Sequence, residues 1–102
     1  MPSKVRFLHA AQRDLEESSL WYEDQGHGLG LQFIVAVGDC LDLIESHPLA
    51  FTEMMPGVRR ALTRRFPYAV YYRPEPERIV VLAILHCSRS PQTWRKRARA
   101  RR

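Results

Sequence analysis

The chain has 102 residues, of which 45% are hydrophobic and 26% are charged, and its formal net charge is +5. This length fits one domain, residues 1–102, with a hydrophobic core of its own. The chain contains no apolar run long enough to cross a bilayer, and its N-terminal residues do not resemble a secretory signal. We therefore expect a protein that is not associated with a membrane and that stays in the cytoplasm.

The charges are segregated along the chain. From Arg13 to Glu53 there are nine acidic residues and one basic residue, whereas from Gly57 to Arg102 there are thirteen basic residues and two acidic ones. This asymmetry indicates either a polyanion or an acidic protein as the partner of the second half, or complementary charges that meet within the fold. The basic run that begins at Arg95 is expected to be solvated or frayed.

The first half is predicted to form one strand and two helices. Residues 5–8 are typical of a short strand. In residues 10–25 and 30–46 apolar side chains recur every three to four positions, which predicts two amphipathic helices. The glycines between them favour a tight turn, so the helices should form an antiparallel hairpin. The stripe expected in the core consists of Leu15, Tyr22, Phe33, Val37, Leu41 and Ile44.

The second half is predicted to form antiparallel strands. Residues 79–85 are continuously apolar and rich in β-branched side chains, which predicts a buried strand. Residues 68–73 predict its partner, joined to it by a hairpin that contains two prolines. Residues 58–65 predict a third strand, which carries four arginines and therefore belongs at the sheet edge or on a wet, positive surface. Residues 49–56 are expected to be a connection without a strand.

No phosphate-binding loop, zinc motif or nucleophile elbow occurs, and Cys40 and Cys87 are not spaced for a metal site. We expect no cofactor and no metal. The arginines are better candidates, because a guanidinium binds phosphate or carboxylate through two hydrogen bonds and nearby aromatic rings can stack on bases. At least half of the tyrosines should instead pack under the helices. The predicted partner-binding surface consists of Arg59, Arg60, Arg64, Arg65, Tyr68, Tyr72, His86, Arg89, Trp94 and Arg95.

Short motifs extend over nearly the whole chain. They are Ala11-x-x-Asp14-Leu15, Trp21-Tyr22, Gly28-Leu29-Gly30-x-x-Phe33, Ile44-x-x-x-Pro48, Val58-Arg59-Arg60, Arg65-Phe66-Pro67-Tyr68-x-Val70-x-Tyr72 and Ile79-Val80-Val81-Leu82, followed by His86 and Arg89. Their order and spacing resemble those of the RelE/ParE superfamily of toxins from type II toxin–antitoxin modules. The resemblance implies an α+β fold with an N-terminal strand, an antiparallel two-helix hairpin packed on a mostly antiparallel sheet, and a short basic C-terminal segment.

The superfamily divides according to its target. RelE-type members cut mRNA on the ribosome with several basic residues, and Arg60 and Arg89 match two of these positions. Leu62 and Ala69 stand where other basic residues are expected, and the C-terminal tyrosine is absent. ParE-type members poison DNA gyrase without catalytic residues, and the Trp-Tyr, Gly-Leu-Gly and Phe-Pro-Tyr motifs are more similar to that branch.

The resemblance therefore implies a ParE-like toxin that binds and poisons DNA gyrase and is not an enzyme. One alternative is a ribosome-dependent mRNA endonuclease with Arg60, His86 and Arg89 as its candidate catalytic residues. Another is an inactive remnant that only binds an antitoxin. The family also implies a cognate antitoxin, which should compete with the target for part of the same basic surface.

Overall fold

The computed structural model describes residues 4–101. Its elements are β1 (Lys4–Phe7), α1 (His9–Gln25), α2 (Leu29–Ser46), β2 (Thr52–Met55), β3 (Val58–Leu62), β4 (Tyr68–Glu75), β5 (Arg78–His86) and α3 (Pro91–Arg101). The strands form one sheet in the order β1-β5-β4-β3-β2. β1 is parallel to β5, and the other neighbouring pairs are antiparallel. The predicted α+β fold with a helical hairpin is confirmed.

Helices cover both faces of the sheet. The hairpin of α1 and α2 covers one face, and the buried side chains between them are Ala11, Phe33, Val37, Cys40, Ile44, Ala61, Val70, Tyr72, Ile79, Val81 and Ile84. α3 covers the other face, where the buried side chains are Val58, Ala69, Tyr71, Val80, Leu82, Ala83, Leu85, Trp94 and Ala98. We call these the hairpin face and the α3 face.

The turn between α1 and α2 is built on two glycines and one carboxylate. Gly28 has a φ of 87°, a left-handed conformation that favours glycine. A Cβ at Gly30 would lie 2.7 Å from the Ser19 carbonyl oxygen, so only glycine lets the two helices approach this closely. Glu23 accepts hydrogen bonds from the backbone N–H groups of Gly28 and Gly30, each at 3.0 Å. These bonds stabilise the charged carboxylate and lower the pKa of Glu23.

The structure corrects the prediction for residues 49–65. Thr52–Met55 form β2, the edge strand, so β3 lies inside the sheet rather than at its edge. β3 ends at Leu62, before Arg64 and Arg65. It ends there because the Thr63 hydroxyl donates to the carbonyl oxygen of Phe66 at 2.9 Å, which closes the loop that leads into β4.

The basic C-terminal run is helical as far as Arg101 rather than frayed. Trp94 and Ala98 are four residues apart, so they share one side of α3, and both are buried against the sheet. Burial of this side stabilises a helix that its charges alone would not favour. Arg102 lies outside the described residues, as do residues 1–3. Within the described part of the chain, no helix is long and apolar enough to cross a membrane.

Candidate functional site

A β-bulge in β5 decides on which face of the sheet His86 lies. Tyr71 pairs with Ala83 but Tyr72 pairs with Val81, so Leu82 is an extra residue in β5. Leu82 and Ala83 consequently both pack on the α3 face, and Ile84 returns to the hairpin face. Strict alternation from Val81 would have placed His86 on the α3 face. The bulge reverses this and places His86 on the hairpin face.

Arg60 lies on the opposite face from His86. Arg60 pairs with Tyr71, whose ring stacks on Trp94 of α3 with 5.1 Å between centroids. His86 pairs with Tyr68, and the centroid of Tyr68 is 5.4 Å from that of His86. Tyr68 in turn packs on Phe33 of α2, which fixes this pair on the hairpin face. The sheet therefore separates two of the three nuclease candidates.

His86 and Arg89 line one small pocket, of about 70 Å³. The Ser88 N–H donates to Nδ1 of His86 at 3.0 Å, so Nε2 carries the proton of the neutral ring. Asp14 and Glu17 also line this pocket. The carboxylate of Asp14 is paired with Arg97, but the exposed carboxylate of Glu17 repels a phosphodiester. The pocket is also too small to enclose a nucleotide.

Three of the predicted binding residues have structural roles. Arg59 is half-buried and donates to the carbonyl oxygens of Leu49 and Phe51 at 3.1 and 2.6 Å, which holds the connection between α2 and β2. The Tyr72 hydroxyl donates to Pro48 O of the same connection at 2.7 Å, and burial raises the pKa of Tyr72 to about 12. Tyr72 and Trp94 are 0% and 1% exposed. The expectation that these two side chains form part of a binding surface is therefore wrong.

The remaining predicted arginines are accessible. Arg60 is half-buried, and Arg64, Arg65, Arg89 and Arg95 are exposed. α3 adds Lys96 and Arg99 on its solvent side. We call these seven side chains the basic surface. Sequence reasoning named Trp94 and Arg95 from α3 but not Lys96 or Arg99, because the exposure of these two side chains follows from the helix.

A second feature was not predicted at all. A groove of about 480 Å³ lies between α2 and the loop that joins β3 to β4, and we call it the α2 groove. Its apolar side chains are Val35, Leu43 and Leu62, which are 53%, 50% and 59% exposed. The signal in the sequence was the presence of large apolar residues on α2 outside the buried stripe.

The two walls of the α2 groove carry opposite charges. Asp39 and Asp42 of α2 stand on one side, and Arg64 and Arg65 of the loop stand on the other. Arg65 has a φ of 70°, and its guanidinium donates to the side-chain oxygen of Gln32 on α2 at 3.0 Å. Among residues 4–101, no group of three or more His, Cys, Asp or Glu side chains is placed to hold a metal ion.

The family model described as ParE toxin of type II toxin-antitoxin system, parDE, matches residues 5–91. The chain belongs to the ParE toxin family. Its fold is that of the RelE/ParE superfamily, since this ParE toxin is also similar to two solved structures from that group. A search among curated proteins finds no match.

One similar structure is the chromosomal ParDE toxin–antitoxin system of P. aeruginosa, with 19% identity, a TM-score of 0.59, and coverage of 82% of this ParE toxin and 95% of that chain. Another is the RelBE2 toxin–antitoxin complex of Mycobacterium tuberculosis, with 22% identity, a TM-score of 0.57, and coverage of 84% and 99%. At these identities the similarity shows the fold alone.

Proposed function

We propose that this ParE toxin binds and poisons DNA gyrase in the cytoplasm and does not cut RNA. The observation that carries the proposal is the position of Arg60 and His86 on opposite faces of the sheet. Cleavage of a phosphodiester requires an acid, a base and cationic groups within hydrogen-bond reach of one phosphate. Two of the three candidate catalytic residues cannot meet at one phosphate across a packed sheet.

Binding requires less exact placement of charged side chains than catalysis does. The charges of the basic surface lie on both sides of the sheet, and each can contact a different acidic group of a partner, so they do not have to converge on a single atom. In this proposal Arg60, Arg64, Arg65, Arg89 and Arg95 share the electrostatic attraction to gyrase or to the DNA that gyrase holds. Loss of any one of them then weakens binding without abolishing it.

We further propose that a cognate antitoxin holds the toxin inactive by covering part of the basic surface. Both similar structures come from toxin–antitoxin systems, which supports a partner of this kind. Antitoxin and gyrase then compete for the same arginines. A pull-down in which the antitoxin-bound toxin captures gyrase at full strength contradicts this competition.

The endonuclease remains the second candidate because Tyr68, His86 and Arg89 line one pocket. Pulse-labelling of DNA and protein synthesis just after induction of the toxin separates the two functions. We expect DNA synthesis to stop first and the DNA-damage response to rise. If protein synthesis stops first, the nuclease is correct. If neither synthesis falls, the chain is a remnant that binds only an antitoxin.

A second assay uses purified components. Gyrase and supercoiled plasmid are incubated with the toxin, and linear DNA is measured after detergent treatment. We expect DNA double-strand breaks that require both gyrase and toxin. A toxin that leaves plasmid intact with gyrase but cleaves mRNA on purified ribosomes contradicts the proposal.

A further inference from the structure

The exposed side of α3 carries positive charges that the chain itself does not use. Arg95, Lys96 and Arg99 are exposed, while Trp94 and Ala98 on the other side of the helix are buried against the sheet. None of the three cations forms an ion pair within residues 4–101. Arg95 and Arg99 are four positions apart, a spacing at which like charges destabilise a helix. These charges therefore remain available to a partner outside the chain.

Arg60 of β3 lies next to this side of α3. Arg60 pairs with Tyr71, whose ring stacks on Trp94. The guanidinium carbon of Arg95 lies 5.2 Å from the centroid of the same tryptophan ring. Arg60 and Arg95 thus flank one aromatic stack, the first from the strand and the second from the helix.

Arg73 of β4 adds a charge at the next turn of α3. Its guanidinium donates to Ala98 O at 3.1 Å, one residue before Arg99. Its Nε has no hydrogen-bond acceptor within the described part of the chain. The protein therefore does not fully satisfy this guanidinium. We call the following five side chains the α3 cluster: Arg60, Arg73, Arg95, Lys96 and Arg99.

The charge segregation of the sequence becomes a segregation between the two faces of the sheet. Eight of the eleven acidic residues lie on α1 and α2, which cover the hairpin face. On the α3 face the carboxylate of Glu75 is paired with Arg78 at 2.8 Å. Asp14 reaches the edge of β5, where it is paired with Arg97. These carboxylates therefore do not neutralise the α3 cluster.

The chemistry of the α3 cluster fits a nucleic acid better than an acidic protein. Four of its five members are arginines, whose guanidinium binds phosphate through two hydrogen bonds. Protein–protein interfaces have a core rich in apolar and aromatic side chains, whereas interfaces with nucleic acid are much more positively charged. The large apolar side chains that the described chain exposes lie on α1, on α2, at Leu49 and at Leu62, and none lies on α3.

The same surface fits a duplex better than a single strand. Proteins bind single-stranded nucleic acid by stacking its bases on exposed aromatic rings. Tyr71 and Trp94, the aromatic residues next to the α3 cluster, are only 5% and 1% exposed, because they stack on each other inside the α3 face. A duplex needs no such ring, since its phosphates lie outside and contact arginine and lysine directly.

We propose that the α3 cluster binds the phosphate backbone of duplex DNA. This inference deepens the proposed function, on which its role in gyrase poisoning rests. The toxin contacts the DNA that gyrase holds through the α3 face. Arg64, Arg65 and Arg89, which lie outside the α3 cluster, remain for contacts with protein.

The experiment measures binding of the toxin alone to a short DNA duplex, by fluorescence anisotropy and without gyrase, over a series of salt concentrations. Each phosphate that a cation neutralises contributes a slope of about −0.9 to the logarithm of the association constant against the logarithm of the salt concentration. Three to five contacts from the α3 cluster should therefore give a slope of roughly −3 to −4.5.

Two variants remove one charge each from the α3 cluster. Arg99→Gln changes the exposed side of α3 and should make the slope shallower by about one unit. Arg60→Gln should have the same effect from the sheet, which distinguishes a surface built by helix and strand from attraction to a basic tail alone. Arg13→Gln removes the same charge from an exposed position of α1 and should leave the slope unchanged. Melting temperatures confirm that all three variants fold.

Four outcomes overturn the inference. The first is the absence of duplex binding at low salt, and the second is a wild-type slope that neither Arg60→Gln nor Arg99→Gln changes. The third is tighter binding of a single strand of the same length. The fourth is binding of polyglutamate that is as tight as binding of the duplex and equally sensitive to Arg99→Gln, since the surface is then one for an acidic protein.

The plasmid assay with gyrase, run on the same preparations, reports separately on the proposed function. Duplex binding with the expected slopes but without gyrase-dependent breaks supports the inference and contradicts gyrase poisoning. Gyrase-dependent breaks by a toxin that does not bind the duplex alone overturn the inference and leave the proposed function intact.

Discussion

Asp14 of α1 and Arg97 of α3 form an ion pair of 2.6 Å at the edge of β5, joining helices that cover opposite faces of the sheet. The pairing of β1 with β5 ends at Phe7 and Val81. Beyond this point Asp14 accepts the Ile84 N–H at 3.0 Å, and Arg97 donates to Leu82 O at 3.1 Å. These two side chains therefore take the place of a neighbouring strand.

The first prediction concerns this pair. Their side chains are only 12% and 21% exposed, so Asp14→Ala should destabilise the fold by about 2–3 kcal/mol, because it leaves a largely buried guanidinium without its partner. A double-mutant cycle with Arg97→Ala should give a coupling energy of at least about 1 kcal/mol. Urea unfolding of the four proteins measures both values.

The control for this cycle is the ion pair between Arg13 and Glu17, which is 3.7 Å long with side chains 63% and 70% exposed. Because water screens it, the same cycle at this pair should give less than about 0.5 kcal/mol. Equal coupling energies at the two pairs would contradict the strand-replacing role of Asp14 and Arg97.

The second prediction compares one substitution at two glycines of α2. Gly30→Ala should destabilise the toxin by about 1–3 kcal/mol, because the new methyl group meets the Ser19 carbonyl oxygen. Gly38→Ala should instead stabilise it by about 0.5–1 kcal/mol, because the methyl group meets nothing and alanine favours the helix. Thermal unfolding of both variants tests the signs. If both substitutions change the stability in the same direction, α1 and α2 do not make the close contact described at Gly30.

The third prediction concerns stability at acidic pH. Hydrogen bonds from Gly28 and Gly30 lower the pKa of Glu23 below its ordinary value of 4.5. The unfolded chain therefore takes up this proton at a higher pH than the folded chain does. The contribution of Glu23 to stability is complete above pH 4.5 and is lost as the pH falls through the lowered folded pKa.

Glu23→Gln is the matched variant, because its side-chain oxygen still accepts the N–H groups but does not titrate. The difference in unfolding free energy between wild type and variant should favour the wild type near neutral pH and shrink below pH 4.5. If the difference in unfolding free energy stays constant down to the lowest pH at which the wild type is folded, the hydrogen bonds at the turn do not depend on the charge of Glu23.

The fourth prediction concerns stability at alkaline pH. Burial raises the pKa of Tyr72 from 10.0 to about 12, with Arg59 opposing the rise. The unfolded chain loses this proton first, so the contribution of Tyr72 to stability is complete below pH 10.0 and is lost as the pH rises to about 12. Tyr72→Phe should cost about 1 kcal/mol at neutral pH, because it removes the bond to Pro48 O.

The loss of stability of the Tyr72→Phe variant at alkaline pH should also be smaller than that of the wild type. Unfolding free energies measured from pH 8 to pH 11 at fixed ionic strength check this expectation. Parallel curves for the two proteins would mean that another group controls alkaline unfolding.

The fifth prediction tests how the charges are shared. Arg89→Ala should weaken the DNA cleavage induced through gyrase by roughly threefold to tenfold, because the other basic side chains still bind. The same substitution should abolish toxicity if the chain is a nuclease, since one missing cationic group costs about 10²–10³ in rate. A dose series of toxin in the plasmid assay distinguishes weakening from abolition.

The helices α1 and α2 and the strands β4 and β5 could be predicted because their signals are local. Apolar spacing defines α1 and α2, and the uninterrupted β-branched run defines β5. β2 could not be predicted, because Thr52–Met55 is a strand only through its pairing with β3. α3 is stabilised because Trp94 and Ala98 pack on a face of the sheet. The charged sequence of this segment does not show that contact.

The site was harder to predict than the fold. Arg60 and Arg89 are nuclease candidates because they match two basic positions of RelE-type members, and His86 is one because it ends β5 three residues before Arg89. Strict alternation along β5 would place His86 on the α3 face, the face of Arg60. The bulge at Leu82 breaks that alternation, and nothing in the continuous apolar run marks it. The α2 groove depends on a loop contact between Arg65 and Gln32, residues 33 positions apart in sequence.

The loop needs a left-handed backbone at Arg65, which other residues adopt more easily, whereas its positive charge at this position needs the arginine. Asparagine or glycine would adopt a φ of 70° with less strain while removing the guanidinium from the groove. A single substitution at this position can therefore change the charge of the α2 groove and at the same time increase the stability of the toxin.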